Sequence, residues 1–158
     1  MSRQSKPEDE LRHEMREFQS AFRSVLMATV SQDGEPEASY APYVMDDAGR
    51  YYVFVSGLAR HTRDLQETGQ ASLQFIEDES KAHNLFARRR LTWLCAATVI
   101  PRASPDWEMM LHQFTLRFGK FVDTLRGLPD FQLFRLTPLS GSYVRGFGQA
   151  FRFEGPGI

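Results

Sequence analysis

The sequence contains a single cysteine, Cys95, which excludes an internal disulfide. Cys95 lies in an apolar run, so we expect a buried structural thiol of the kind found in the reducing cytoplasm. No apolar run is long enough to span a bilayer, and the first ten residues lack the hydrophobic block of a signal peptide. These absences predict a cytoplasmic protein with no membrane partner.

Neither sign of charge dominates, because 19 Lys and Arg residues and 20 Asp and Glu residues leave a net charge of −1 at pH 7. A general nucleic-acid binder normally carries a basic surplus, so we expect no nucleic-acid partner. The sequence also lacks a Gly-x-Ser-x-Gly elbow, a Walker loop and a dinucleotide fingerprint, which argues against hydrolases, P-loop NTPases and Rossmann enzymes.

Catalytic and metal-binding patterns are equally scarce. No two histidines stand at the spacing of a zinc-site motif, so no metal site is predicted. No residue stands out as a catalytic acid, base or nucleophile. This is typical of proteins in which a cofactor performs the reaction and the polypeptide positions it.

Apolar residues are plentiful, since the 158 residues are 42% hydrophobic and 13% aromatic. This composition predicts one folded domain over residues 1–158, with an N-terminal helix at about 7–23 and a barrel with helical insertions at about 24–153.

The order of the predicted elements indicates an antiparallel barrel. Three strands joined by short turns form a meander rather than β-α-β units, and the helices fall only at corners. We expect strands at 24–31, 37–45, 50–56, 71–77, 91–100, 131–136 and 141–153, and further helices at 61–68, 78–89 and 106–125. In the last of these, Met110, Phe114, Phe118 and Phe121 are expected to form one face.

The junction between the third strand and the next helix is the most informative segment. Ser56, Arg60, His61, Thr62 and Arg63 cluster there. Free N–H groups and the dipole at a helix start favour an anion, and guanidinium and hydroxyl groups donate to phosphate. The pattern therefore indicates a phosphate or carboxylate site, while a capped surface helix with solvated arginines is the simpler alternative.

Two other groups of side chains are candidates for ligand contacts. The run from Arg88 to Arg90 could be a solvated helix end, or alternate members could point inwards. Tyr40 and Tyr43 could stack on a planar ring, although packing in the core is the ordinary role of such aromatic residues.

Several segments, taken in order, resemble a known family. The chain is similar to the pyridoxamine 5'-phosphate oxidase-like split β-barrels, and within them to the bacterial haem-utilisation branch. The similarity covers Phe18 to Phe153. The segments that carry it are residues 28–36, 39–43, 56–65, 85–91, 134–138 and 144–150.

The resemblance implies a mainly β fold, a six-stranded antiparallel split β-barrel of the FMN-binding type with flanking helices. It also implies a homodimer with ligand sites in two equivalent clefts between the subunits. The cofactor-binding positions that follow from the motifs and the junction are Ser39, Tyr40, Ser56, Arg60, His61, Thr62, Arg63, Arg88 and Arg90.

The resemblance leaves the cofactor and the activity open. FMN is the cofactor of the wider superfamily, but most flavin relatives carry lysine where this chain has His61. Haem is the alternative. The chain is accordingly expected to be an FMN-dependent oxidoreductase, a haem-degrading oxygenase, or a non-catalytic haem carrier or storage protein. A dimeric barrel that binds nothing tightly is a further alternative.

One departure concerns the haem alternative. Haem-degrading members carry an axial histidine beyond the last strand, whereas the last histidine of this sequence is His112. We therefore expect the usual iron ligand to be missing. Asp130 corresponds to an acidic residue that some members keep near the haem, but a carboxylate does not replace an imidazole.

Overall fold

Seven antiparallel strands form one sheet in the computed structural model, which describes residues 5–155. The strand order is β3-β2-β1-β4-β5-β6-β7, and an additional pairing of β3 with β6 closes six of the strands into a barrel. This confirms the predicted fold class. The strands are β1 (Ser24–Val30), β2 (Pro36–Met45), β3 (Tyr51–Ser56), β4 (Gln70–Ile76), β5 (Arg90–Ile100), β6 (Phe131–Gly146) and β7 (Gln149–Glu154).

Four helices flank the barrel. They are α1 (Ser5–Ser20), α2 (Arg60–Thr68), α3 (Pro105–Phe118) and α4 (Phe121–Arg126). Within residues 5–155, no helix has the length and apolar character required to cross a bilayer.

The meander β1-β2-β3 forms because turn residues separate strands of alternating polarity. Gly34 and Gly49 take the left-handed conformation in the two hairpin turns, with φ of 82° and 77°. In β1 the side chains of Val25, Met27 and Thr29 are buried while their neighbours face outwards. The barrel therefore has one apolar interior and a partly exposed outer face.

The barrel interior holds one of two apolar cores. Tyr43, Tyr51, Phe75 and Trp93 fill it, with ring centroids of neighbouring aromatic pairs 5.2–5.8 Å apart. Cys95 is fully buried in the same core, and burial raises the pKa of its thiol to about 12. The expected buried structural thiol is thus confirmed.

The second core lies between the helices α3 and α4 and the opposite face of β3 and β6. Tyr52, Phe54 and Leu133 contribute from the strands, and Trp107 and Phe114 from α3. Strand β3 is consequently buried on both faces, which explains its continuous apolar sequence.

The prediction of one continuous helix at 106–125 is wrong, because the segment forms two helices. Helix α3 ends at Phe118, because the next residue, Gly119, adopts φ of 88° and ψ of −170°, which no helix can accommodate. Helix α4 begins at Phe121. Phe114 and Phe118 pack on the second core as expected, but Phe121 is 68% exposed because the break turns it outwards.

Three further boundaries differ from the prediction. The N-terminal helix ends at Ser20, before residue 23. The expected helix at 78–89 is instead two 3₁₀ turns, Glu79–Lys81 and Leu85–Ala87, which Asp78 and Asn84 cap. The expected strand at 141–153 is a hairpin, since Gly148 adopts φ of 73° and reverses the chain.

Gly141 provides a test of the packing inside the barrel. A Cβ atom at this position would overlap the Trp93 ring and lie 2.8 Å from the Thr92 carbonyl oxygen, so Gly141→Ala should lower the free energy of unfolding by about 1–3 kcal/mol. Gly127→Ala is the control, because its Cβ would lie 3.5 Å from the Thr124 carbonyl oxygen. Equal stability of the two variants in urea unfolding would contradict this packing.

Candidate functional site

The junction between β3 and α2 lies where the barrel closes, because Ser56 at the end of β3 pairs with Phe131 at the start of β6. Helix α2 then begins at Arg60, and the N-cap residue, Ala59, offers no side chain to its first N–H groups. At the junction, His61 is hydrogen-bonded to Ser39, and Thr62 is hydrogen-bonded to Ser56.

The two predicted hydroxyl donors bond within the protein. Thr62 Oγ1 donates to the Ser56 carbonyl oxygen at 2.6 Å. Ser56 Oγ donates to Asp130 Oδ2 at 3.1 Å and accepts the N–H of Leu58 at 3.1 Å. These bonds hold the turn and the neighbouring Asp130, so both hydroxyl protons are already used.

The arginines of α2 differ in their surroundings. Arg60 forms an ion pair with Glu35 at 2.8 Å and lies 3.8 Å from the carboxylate of Glu37. Arg63 lies on the exposed side of the helix. The buried Asp64 accepts a hydrogen bond from Thr29 Oγ1 at 2.7 Å. Three carboxylates therefore accompany the two guanidinium groups.

His61 is held by a short chain of hydrogen bonds. Its Nδ1 lies 2.9 Å from Ser39 Oγ, and Ser39 Oγ donates to the Met27 carbonyl oxygen at 3.1 Å. A serine hydroxyl has one proton, and a carbonyl oxygen can only accept it. Nδ1 of His61 must therefore carry a proton, which leaves the lone pair of the neutral ring on Nε2.

The electrostatic setting keeps this imidazole neutral. Burial lowers the pKa of His61, and the nearby carboxylates of Glu37 and Asp64 offset that effect only in part. The pKa lies below the ordinary value of about 6.5. At neutral pH His61 is thus a hydrogen-bond or metal acceptor at Nε2 rather than a cation.

The three consecutive arginines have three different environments. Arg88 donates to the Glu77 carbonyl oxygen at 3.0 Å from Nε, and Arg90 donates to the Arg88 carbonyl oxygen at 3.0 Å. Arg89 reaches Tyr143 Oη at 2.7 Å and lies over the ring of Phe18. Sequence reasoning overlooked Arg89, although the alternation of a strand that starts at residue 90 places Arg89 and Arg90 on opposite faces.

Tyr40 lies on an exposed apolar sheet surface. Tyr40 pairs with Leu26 on the neighbouring strand. The side chain of Tyr40 is 65% exposed, that of Leu26 48% and that of Leu94 47%. The prediction of core packing is thus wrong for Tyr40 and confirmed for Tyr43, which is fully buried. We call this surface the outer face and define it by Leu26, Ala28, Ala38, Tyr40 and Leu94; two shallow hollows of about 230 and 260 Å³ lie on it.

The other histidines do not share the environment of His61. His13 pairs with Glu17 at 3.1 Å on α1, and His83 and His112 are exposed. Residues 5–155 contain no group of three or more histidine, cysteine and carboxylate side chains placed to hold a metal ion.

Comparison with known proteins identifies the family of this chain. The pyridoxamine 5'-phosphate oxidase family matches residues 11–145. Haem oxygenase HutZ of Vibrio cholerae is 42% identical over 97% of this chain and 86% of its own length. The chain belongs to the haem-utilisation family of pyridoxamine 5'-phosphate oxidase-like split β-barrels.

Solved structures agree with this family. A structure of Vibrio cholerae HutZ, described as the haem storage protein, has a TM-score of 0.76 at 39% identity and covers 90% of this chain and 92% of its own. Campylobacter jejuni ChuZ has a TM-score of 0.83 at 30% identity, with 95% of this chain and 63% of its own covered.

The protonation of His61 can be measured directly. Nitrogen-detected NMR of labelled histidine should show the Nδ1–H tautomer at pH 7.5 and a pKa below about 6.5, because Ser39 accepts that proton and burial disfavours the cation. Protonation on unfolding then makes the protein less stable as the pH falls below about 6.5. Ser39→Ala should abolish the tautomer preference, and an Nε2–H signal in the native protein would contradict the assignment.

Proposed function

We propose that this protein binds haem at the β3–α2 junction, with Nε2 of His61 as the iron ligand. The observation that carries this proposal is the bond from His61 Nδ1 to Ser39, which leaves Nε2 free. Histidines that bind metals usually donate their other ring N–H to an oxygen in this way, since that bond fixes the ring. The family relationship and the description of its HutZ relatives as haem proteins support the choice of ligand.

FMN fits the junction less well than haem does. A flavin phosphate carries nearly two negative charges, and it would meet a neutral His61, hydroxyl groups already donating to protein oxygens, and the carboxylates of Glu35 and Glu37. Arg63 alone would supply an unpaired guanidinium for these two charges. Placing a dianion beside carboxylates is unfavourable without matching cations. Haem binding requires fewer cationic side chains at the junction than flavin binding does. The haem iron can bind the neutral imidazole, and the propionates can lie at the surface.

One basic partner for the propionates is available at the junction. Within the described range, neither Arg63 nor Arg90 has a carboxylate oxygen within 4.0 Å. Arginine binds carboxylates through parallel N–H groups, so Arg63, on the exposed side of α2, is suited to that role. Arg90 starts β5 and lies several residues along the strand from Ala97, where β5 meets the end of α2, so it is not brought to the junction. Arg88 instead lies close to Glu77 and Glu79 and is better placed to hold the β4–β5 loop.

The outer face supports a homodimer as the functional unit. Leu26, Tyr40 and Leu94 form an exposed apolar surface on a rigid sheet, and such surfaces usually mark an interface. A second copy of the chain covering this surface would contact Tyr40, whereas the side chain of the adjacent Ser39 points to the other face of β2. A ligand cleft between two subunits is therefore proposed from the family relationship.

Oxidative degradation of haem is the activity we propose. When bound, haem iron supplies the oxygen chemistry, while the protein orients the iron through His61 and holds its proton on Nδ1. Storage without turnover is the alternative, favoured by the description of the HutZ structure as a storage protein. Incubation of the haem complex with ascorbate in air distinguishes them: loss of the haem absorbance with release of iron indicates degradation, and an unchanged spectrum indicates storage.

Replacing His61 tests the haem site. His61→Ala should abolish the axial imidazole spectrum and weaken haem binding more than Ser39→Ala, for which we expect a loss of roughly 10-fold because only the supporting bond is removed. Absorbance titration and electron paramagnetic resonance report both effects. His112→Ala is the matched control on the exposed side of α3, and equal haem affinity in both histidine variants would reject His61 as the ligand.

The outer face can be tested separately. Leu26→Arg should convert a dimer into monomers in sedimentation velocity, because it places an unpaired charge in the proposed interface. Leu116→Arg changes an exposed leucine on α3 and should leave the dimer intact. A native protein that sediments as a monomer at micromolar concentration would rule out this interface.

A further inference from the structure

Helix α2 packs against strands β1, β2, β4 and β5, and the side of the helix that faces them carries two polar side chains. His61 and Asp64 are three residues apart, so they lie on the same side of the helix. His61 bonds to Ser39 on β2, and Asp64 accepts a hydrogen bond from Thr29 Oγ1 on β1 at 2.7 Å. The imidazole and this carboxylate therefore share one environment between the helix and the barrel.

A second carboxylate, that of Glu37, reaches the same environment from β2. Glu37 and Ser39 are two residues apart on the strand, so their side chains point to the same face, and Glu37 pairs with Thr29 on β1. The Oε2 atom of Glu37 is buried and has no hydrogen-bond partner among the described residues, and Arg60 Nε lies 3.8 Å from it. Two carboxylates thus lie near the imidazole of His61.

The cations nearby do not balance these carboxylates. The guanidinium of Arg60 is shared between Glu35, at 2.8 Å, and Glu37, at 3.8 Å. Asp64 is only 1% exposed, and across residues 5–155 no lysine or arginine nitrogen lies within 4.0 Å of its carboxylate. Arg63 lies on the exposed side of the helix. The side of α2 that faces the barrel therefore carries more negative than positive charge beside a neutral imidazole.

A surplus of buried negative charge is costly unless a positive charge joins it. The hydroxyl of Thr29 donates a hydrogen bond to Asp64, but a neutral donor does not cancel the charge of a carboxylate. Burial lowers the pKa of His61, and the carboxylates of Glu37 and Asp64 act in the opposite direction. These two carboxylates therefore stabilise positive charge at the imidazole.

We propose that Glu37 and Asp64 stabilise the positive charge of ferric haem iron on His61 and thereby lower the reduction potential of the bound haem. This inference rests on the proposed haem site. Ferric iron carries one more positive charge than ferrous iron, so nearby carboxylates stabilise the ferric form more strongly. The net charge around a metal centre is one of the properties by which a protein sets its potential. The two carboxylates thus act on the iron through the field at its imidazole ligand.

The midpoint potential of the haem complex, measured with an electrode that supplies the electron, tests this proposal. Asp64→Asn removes the charge and keeps an oxygen for the hydroxyl of Thr29, so the potential should rise. We expect a change on the order of tenfold in the ferric–ferrous equilibrium, which is about 59 mV for a one-electron couple. Glu37→Gln should raise the potential as well. Glu67→Gln is the matched control, because it removes the same charge from an exposed position of α2 and should leave the potential unchanged.

The spectra of the same variants separate this inference from the haem site itself. If Asp64→Asn and Glu37→Gln keep the axial imidazole spectrum and the native potential, the inference is overturned and the proposed function stands. A rise that disappears at high salt would also overturn it, because salt screens buried charges much less than exposed ones. Glu37→Gln, at a partly exposed position, decides the matter if Asp64→Asn does not fold. An axial imidazole spectrum that persists in His61→Ala would reject the haem site and this inference together.

Discussion

The pairing of β6 with β3 is the constraint on which the rest of the structure depends. Six residue pairs, from Tyr51↔Leu136 to Ser56↔Phe131, close the sheet into a barrel. Closure brings Asp130 to the end of β3, where it accepts the N–H of Gly57 at 2.8 Å and the hydroxyl of Ser56 at 3.1 Å. The direction in which α2 leaves the barrel, and therefore the position of His61, follows from these bonds.

The electrostatics of the β3–α2 junction favours an electron-pair acceptor. The hydroxyl groups there bond to the protein, Arg60 is paired with Glu35, and His61 is a neutral imidazole with a free Nε2. An electron-pair acceptor such as iron suits that nitrogen. The exposed Arg63 of the same helix is available to an anionic group of the ligand.

Much of the fold could be predicted because the signals are local. Alternating polarity marked the strands, and Gly34, Gly49 and Gly69 marked turns where the backbone adopts positive φ. The break at Gly119 was missed because a glycine inside a helical pattern costs only about 1 kcal/mol and often leaves the helix intact. The hairpin at Gly148 was missed because the residues on both sides of it continue an alternating strand.

The candidate site was harder to predict because its chemistry depends on contacts distant in sequence. The sequence indicated His61, but the bond to Ser39 joins residues 22 positions apart and sets the tautomer. Glu35 pairs with Arg60 from 25 positions away, which removes much of the expected positive charge. Arg89 was overlooked because its partner Tyr143 is 54 positions distant.

A crystal structure of the haem complex is the most direct measurement of the central claim. We expect Nε2 of His61 on the iron, Nδ1 still bonded to Ser39, and the haem between two subunits that meet through the outer face. Iron held by any other side chain, with His61 turned away from the haem, would contradict the account.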